Sequence, residues 1–224
     1  MKLISFVMPT LNEEEGIVKT INSIPKMTLK NKGFSTEIIV IDGGSTDNTI
    51  KLAKKAGAKV VSSAKGYGKQ YKIGLNTAKG KIIITGDSDN TYPFEKANYF
   101  LDYLEKNNLD FVTINRFANM EKGAMHFSNK IGNIILTFFT NLLFNLNLQD
   151  SQSGMWIIKK SILKYLNLSS DGMPFSQEIK IESFKKFNSA ELNGSYKKRV
   201  GETKLVKFKD GFKNLFALFH KRLF

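Results

Sequence analysis

Residues 84–93 read ITGDSDNTYP, two acids set close behind the apolar run 82–84. On an extended segment residues i and i+2 project to the same side, which predicts Asp87 and Asp89 facing one another across Ser88. Two such carboxylates repel unless a cation joins them. Mg2+ or Mn2+ suits the pair, since hard divalent ions are held by one or two carboxylates together with the oxygens of substrate phosphates. The end of this strand therefore reads as a metal site that waits for a phosphate-bearing ligand.

Outward from that point, LISFVMP, EIIVID, AKVVSS, KIIITGD and DFVTIN are short β-branched runs, whereas 13–24, 46–57, 67–79 and 94–107 carry helical spacing. The alternation predicts an α/β fold: right-handed βαβ units building a mainly parallel sheet flanked by helices. Ligands of such sheets bind beyond the carboxyl ends of the strands. The notable polar residues fall there. Asn12 and Glu13 follow the first strand, Asp42-Gly-Gly-Ser the second and Asp87-Ser-Asp89 the fourth, so one shared site is expected. Ser45, Thr46 and Asp47 also carry the short oxygen-bearing side chains that cap a following helix, and that reading stands beside ligand binding. Gly66-Tyr67-Gly68-Lys69 opens the third helical segment, where glycines and a lysine suit a phosphate, yet the spacing matches neither a P-loop nor a dinucleotide fingerprint.

The chain carries 34 Lys and Arg against 20 Asp and Glu, a formal net charge of +14, which favours polyanionic partners. Nucleic acid is not expected among them, because the charge is spread along the chain and no RNP, KH or zinc-finger pattern is present. Absence of cysteine excludes disulfide scaffolds, thiolate zinc sites and cysteine nucleophiles, and fits a cytosolic location. The opening MKLISFVMPTLNEEE stops its apolar run at Pro9 and continues with acids, so it reads as a first strand and not a signal peptide. A length of 224 residues suits one domain, here drawn as 1–206, followed by a basic segment 207–224.

Taken in order, VMPTLNEEEGI, VIDGGSTDNT, GYGKQ, DSD, DSQSGMW and KKRVGETKL resemble the family 2 glycosyltransferases of GT-A fold, and among them the archaeal dolichyl- or polyprenyl-phosphate hexose synthases. The likeness runs from residue 4 to about 206. It implies that Pro9, Asn12 and Glu13 line the nucleotide pocket, that Asp42 contacts base or ribose, and that Lys69 and Ser88 serve the donor side. It implies too that Asp87 and Asp89 hold Mg2+ or Mn2+ at the donor diphosphate. Asp150, Ser153 and Gly154 match the motif near the reaction centre, Glu178 lies in a following helix, and Arg199, Gly201 and Lys204 match the closing motif, with Thr203 in place of the usual serine. Asp150, Glu178 and Arg199 are the implied catalytic residues; for the acceptor phosphate, Lys204 of the closing motif and the remaining cations Arg116 and Lys130 are the expected ligands. There are departures: Thr91 stands where many mannosyl-transferring members carry Gln, Gly43 replaces a second acid, and 124–133 lacks the arginines many relatives place there.

The implied reaction moves a hexose from a UDP- or GDP-linked sugar to dolichyl or polyprenyl phosphate, with inversion. The alternative is a soluble family 2 enzyme acting on a glycan or protein hydroxyl, which would need a true base. Asp150 is read as base, oxocarbenium stabiliser or orienting group. Residues 131–149, IGNIILTFFTNLLFNLNLQ, carry no charge but several asparagines, which predicts a helix at about 128–147 lying in a membrane interface and not spanning it. In the C-terminal segment Phe208, Phe212, Leu215, Phe216 and Phe219 form one helical stripe among Lys207, Lys209, Lys213, Lys221 and Arg222. Peripheral attachment to the cytoplasmic face of a membrane is the expectation.

Overall fold

A computed structural model describes residues 1–201 and 207–223, the side chains of 207–210 and 212 excepted. Seven strands form one sheet: β1 (Lys2–Thr10), β2 (Phe34–Asp42), β3 (Lys59–Ser62), β4 (Ile82–Thr85), β5 (Phe111–Met120), β6 (Trp156–Lys159) and β7 (Ser189–Tyr196), in the order β3-β2-β1-β4-β6-β5-β7. Every neighbouring pair is parallel except those of β6, which runs against both β4 and β5. The start of β6 therefore lies at the edge where β1, β2 and β4 end. A loop entering a strand joins loops leaving three others, and this brings residues 150–155 to the same side as Asp42 and Asp87.

The helices are α1 (Ile17–Asn22), α2 (Lys26–Asn31), α3 (Thr49–Lys55), α4 (Tyr67–Thr77), α5 (Ala97–Lys106), α6 (Phe127–Phe144), α7 (Phe175–Lys186) and α8 (Lys207–Leu223). The central strand β1 is buried on both faces, as parallel sheets covered by helices require. Its period of two divides the core. Phe6 and Met8 pack with Ile17, Phe100 and Val112, while Val7 packs with Tyr71, Trp156 and Phe175 on the opposite face.

The expected mainly parallel sheet is present. Three elements were not legible in advance: α2, and the strands β6 and β7. The four residues of β6 sit between two other strands and show no alternation to read, and β7 is a polar strand at the sheet's edge.

A third apolar cluster joins Leu136 and Phe144 of α6, Ile181 of α7 and Leu218 of α8, so the basic C-terminal segment is layered onto the domain. Its inward positions are Asn214 and Leu218, with Phe216 turned out to solvent. On α6, Phe127, Ile131, Ile134, Ile135, Phe138 and Leu142 are 42–78% exposed, one apolar stripe on the face away from the sheet. No described helix is long and apolar enough to cross a membrane.

Candidate active site

Two halves of a site meet at the carboxyl edge. The first is built from β1, β2 and β4. Asp42, the last residue of β2, turns its carboxylate onto its own loop, accepting from Gly44 N at 3.0 Å and Ser45 N at 3.1 Å. Gly44 permits that turn, with φ of +96°. Asn12 sits in the left-handed region at φ 50°, which an asparagine tolerates, and its Oδ1 accepts from Thr46 N at 2.8 Å while its own N–H reaches Ser45 Oγ. Asp47 accepts from Thr49 N at the start of α3, so of the two readings of this loop the structure shows helix-entry bonding for Asp47. Gln70 of α4 donates from Nε2 to Thr10 O at 2.9 Å and Ile41 O at 2.7 Å, bridging the two strands where they end. Its motif was noticed in the sequence, but nothing there separates a bridging amide from a surface one.

Strand β4 stops at Thr85, so Asp87 and Asp89 lie on a turn beyond it and not on the extended segment that the i, i+2 reasoning assumed. Ser88 ties this turn to β1, its hydroxyl donating to Pro9 O at 3.2 Å and its carbonyl accepting from Thr20. Asp89 is buried; Oδ1 accepts from Thr91 Oγ1 at 2.7 Å and Oδ2 pairs with Arg199 Nη1 at 2.6 Å. The other arm of Arg199 pairs with Glu13. Asp87 is half-buried and accepts from the Tyr67 hydroxyl at 3.2 Å. Burial, and then the charge of Asp89, push the Asp87 carboxyl up to about 7. Gly154 makes room for this contact, because a Cβ there would stand 2.2 Å from Tyr67 OH.

The second half centres on a buried ion pair. Arg116 of β5 grips Asp150 bidentately, Nε to Oδ2 at 2.7 Å and Nη2 to Oδ1 at 2.9 Å, and lies over the Tyr196 ring at 5.3 Å. Burial opposes ionisation of Asp150, but the Arg116 charge and hydrogen bonds outweigh it and hold the carboxyl below its usual range. Lys180, wholly buried on α7, donates to Asp150 O at 2.6 Å; burial lowers its pKa to about 8, against the opposing charges of Asp150 and Glu191. Glu191 of β7 accepts from the backbone N–H groups of Gln149 and Asp150. Neither Lys180 nor Glu191 stood out in the sequence, since both meet Asp150 only through the fold.

Several expected residues lie elsewhere. Glu178 is buried on α7 and spends its two oxygens on Ser169 and Ser170, with Lys221 of α8 at 3.6 Å, so its bonds go to a loop and not to Asp87, Asp89 or Asp150. That loop presses on the start of α4: a Cβ at Gly68 would lie 2.3 Å from Ser170 O, and Lys69 N donates to Asp171 O. The Gly66-Tyr67-Gly68 glycines thus serve chain packing, while the Lys69 side chain is exposed. Lys130 is exposed on α6, separate from the buried Arg116. Lys204 lies outside the described residues.

Asp87 and Asp89 fit a divalent ion. They bring two carboxylates together, Asp87 raised first by burial and then by the charge of Asp89, while Asp89 Oδ1 accepts from Thr91 and Oδ2 pairs with Arg199, so an ion would share or displace those contacts. Among the described residues no group of three or more His, Cys, Asp or Glu is placed to hold a metal ion, so an ion at this pair would draw the rest of its shell from ligand or water.

Sheet order, reversed β6 and paired acids beyond β4 define a GT-A glycosyltransferase. The chain belongs to glycosyl transferase family 2, whose profile matches residues 5–166. It is 33% identical over 216 residues to the low-salt glycan biosynthesis hexosyltransferase Agl6 of Haloferax volcanii, a match covering 95% of this chain and 52% of that protein. The chain thus spans about half of that relative's length. A dolichyl-phosphate hexose transferase of the same organism is 30% identical over 212 residues, covering 93% of this chain and 89% of that one. In fold the chain is similar to glucosyl-3-phosphoglycerate synthase from Mycobacterium tuberculosis, crystallised with Mn2+, UDP and phosphoglyceric acid. The TM-score is 0.76 at 24% identity, covering 99% of this chain and 78% of that one. The same synthase has been crystallised with Mg2+ and UDP.

Proposed function

We propose that this glycosyltransferase moves a hexose from a UDP- or GDP-sugar to the phosphate of a dolichyl or polyprenyl carrier, with inversion, at the cytoplasmic face of a membrane. The observation that carries the choice of acceptor is the state of Asp150. A hydroxyl acceptor needs a base, yet both Asp150 oxygens are bound by Arg116 and its pKa is lowered, so it is poorly set to take a proton. Glu178 is committed to a loop. A phosphate monoester, with second pKa about 6, is already ionised at neutral pH and needs placement more than deprotonation.

In this reading Asn12, Glu13, Asp42 and the turn 87–89 receive the nucleotide sugar. A divalent ion at Asp87 and Asp89, when bound, supplies Lewis-acid neutralisation of the departing nucleoside diphosphate. An acceptor phosphate oxygen forms the bond to the anomeric carbon as the bond to the diphosphate oxygen breaks, the electron pair leaving with the diphosphate. Arg116 and Arg199 provide fixed positive charge on either side, and Lys130 lies on the helix that would face the lipid. The exposed stripe of α6 together with Phe216, Phe219 and Leu223 of α8 supports attachment to a bilayer, with Lys213 and Arg222 exposed nearby to meet anionic headgroups.

The test is to incubate the purified protein and Mn2+ or Mg2+ with labelled UDP- and GDP-hexoses, offering polyprenyl phosphate, 3-phosphoglycerate or a free glycan. Label is expected in the organic extract of the polyprenyl phosphate reaction. Transfer to 3-phosphoglycerate or glycan alone would replace this acceptor.

A further inference from the structure

Among the described side chains of α8, the buried face sets a polar residue next to an apolar one. Asn214 is 6% exposed, beside the wholly buried Leu218, and its Oδ1 is buried without a hydrogen-bond partner. Such an orphaned acceptor is costly, so helix packing alone does not account for this residue. Its other bonds run in one direction. Asn214 Nδ2 donates to Gln152 Oε1 at 3.2 Å, and Asn214 O accepts from Gln177 Nε2 at 2.6 Å. Gln152 Nε2 in turn donates to Gln177 Oε1 at 2.9 Å and to Ser151 Oγ at 2.8 Å. All three carboxamides are buried. Gln152 N then donates to Asp150 Oδ1 at 3.1 Å, the same oxygen that accepts from Arg116 Nη2.

We propose that Asn214 is a positioning residue for the acceptor half of the site, acting through Gln152 to hold the loop whose Asp150 orients Arg116. The inference rests on the proposed function only for the identity of the acceptor. The geometry assigns the C-terminal helix to the machinery that places Arg116. Lys221, one turn beyond Leu218 on the same helix, reinforces the attachment by donating to Asn167 O at 3.1 Å and pairing with Glu182 at 2.9 Å. A helix fastened to two loops by hydrogen bonds fixes where they sit, since such bonds depend strongly on distance and angle.

The test compares N214L, Q152L and the double variant with the full chain. N214L is expected to keep its melting temperature within a few degrees and its Mn2+-dependent UDP affinity unchanged, while kcat for transfer falls about tenfold, as a misplaced positioning contact does. The double variant should be no slower than the slower single variant. Proton exchange at Arg116 Nε, followed by 15N NMR, should quicken in N214L, and this readout needs no acceptor. If the wild type ignores polyprenyl phosphate, the proposed acceptor fails, and the variants are judged by Arg116 exchange. Unchanged Arg116 exchange and kcat in N214L, losses that add in the double variant, or an equal loss of UDP affinity would overturn the role of Asn214.

Discussion

The two halves of the site are built differently. The proposed donor half comes from residues 9–89, on loops that leave three adjacent parallel strands, with Arg199 the distant addition. The proposed acceptor half draws Arg116 from β5, Asp150 from a loop, Lys180 from α7, Glu191 from β7 and, through Gln152, Asn214 from α8. The first of these halves pairs Asp89 and Glu13 with Arg199 but leaves Asp87 half-buried against the Tyr67 hydroxyl. The acceptor half buries its charges and satisfies them with one another. On the proposed function, a cation-bound diphosphate would meet the half-buried Asp87, and an acceptor phosphate would meet an Arg116 held in place by Asp150.

The contrast can be broken most sharply at Asp89. Asp89→Ala should lower turnover by about a thousandfold and abolish Mn2+-dependent UDP binding by calorimetry, with circular dichroism unchanged. Retained Mn2+-dependent binding would remove the metal assignment. Arg116→Ala, on the other side, leaves Asp150 buried without its ion-pair partner, a loss of about 3–5 kcal/mol of stability that urea unfolding will measure. UDP binding by the molecules still folded should persist. Loss of both together would mean that the halves are not separable.

Smaller effects sharpen the comparison. Ile134→Glu with Phe138→Glu on the outer stripe of α6 should reduce the affinity for anionic liposomes in sedimentation assays on the order of 1,000-fold, from about 2 kcal/mol of apolar burial at each position. Turnover of a short-chain acceptor in detergent should be unaffected. Lys180 supplies a pH test. Its folded pKa of about 8 lies below the usual 10.5, so between these values the unfolded chain holds the proton that the folded one has lost. Stability of the wild type relative to Lys180→Met should therefore rise from pH 8 to 10.5 and stay level below pH 8. A flat difference across that window would mean that the lysine is not desolvated. Tyr67→Phe removes one hydrogen bond to Asp87, worth about 1 kcal/mol, and should weaken Mn2+-UDP binding several-fold while sparing the acceptor KM.

Legibility in the sequence followed the same division. The strands of the donor half are apolar runs ending in polar clusters, and their order along the chain already implied a shared edge. The acceptor half lacked such signals. Nine consecutive residues of α7, Phe175 to Ser183, are buried, so no solvent-facing stripe exists to reveal the helix's orientation or to mark Lys180 as internal. On α8 the phenylalanine pattern suggested one apolar face, yet the inner face is the one carrying Asn214, Leu218 and Lys221. Polar partners on α7 and the 150–154 loop set that rotation, and periodicity carries no information about partners. Glu178 illustrates the converse: a carboxylate in the right motif region whose bonds go to Ser169 and Ser170.

The reversed strand β6 has a practical consequence for chimeras. It joins the halves through three residue pairs with β4, Ile82 to Lys159, Ile83 to Ile158 and Ile84 to Ile157, and three with β5. A transplanted segment spanning β5 to β7 would need to match the first half along that short seam, in the packing of Trp156 and Phe175 on Tyr71, and where Ser170 and Asp171 meet the start of α4. A one-residue misalignment there would turn Trp156 to the wrong side of the sheet. On the proposed function, grafts that keep this seam in step are the ones in which acceptor choice would be exchanged while the nucleotide-sugar side is inherited intact.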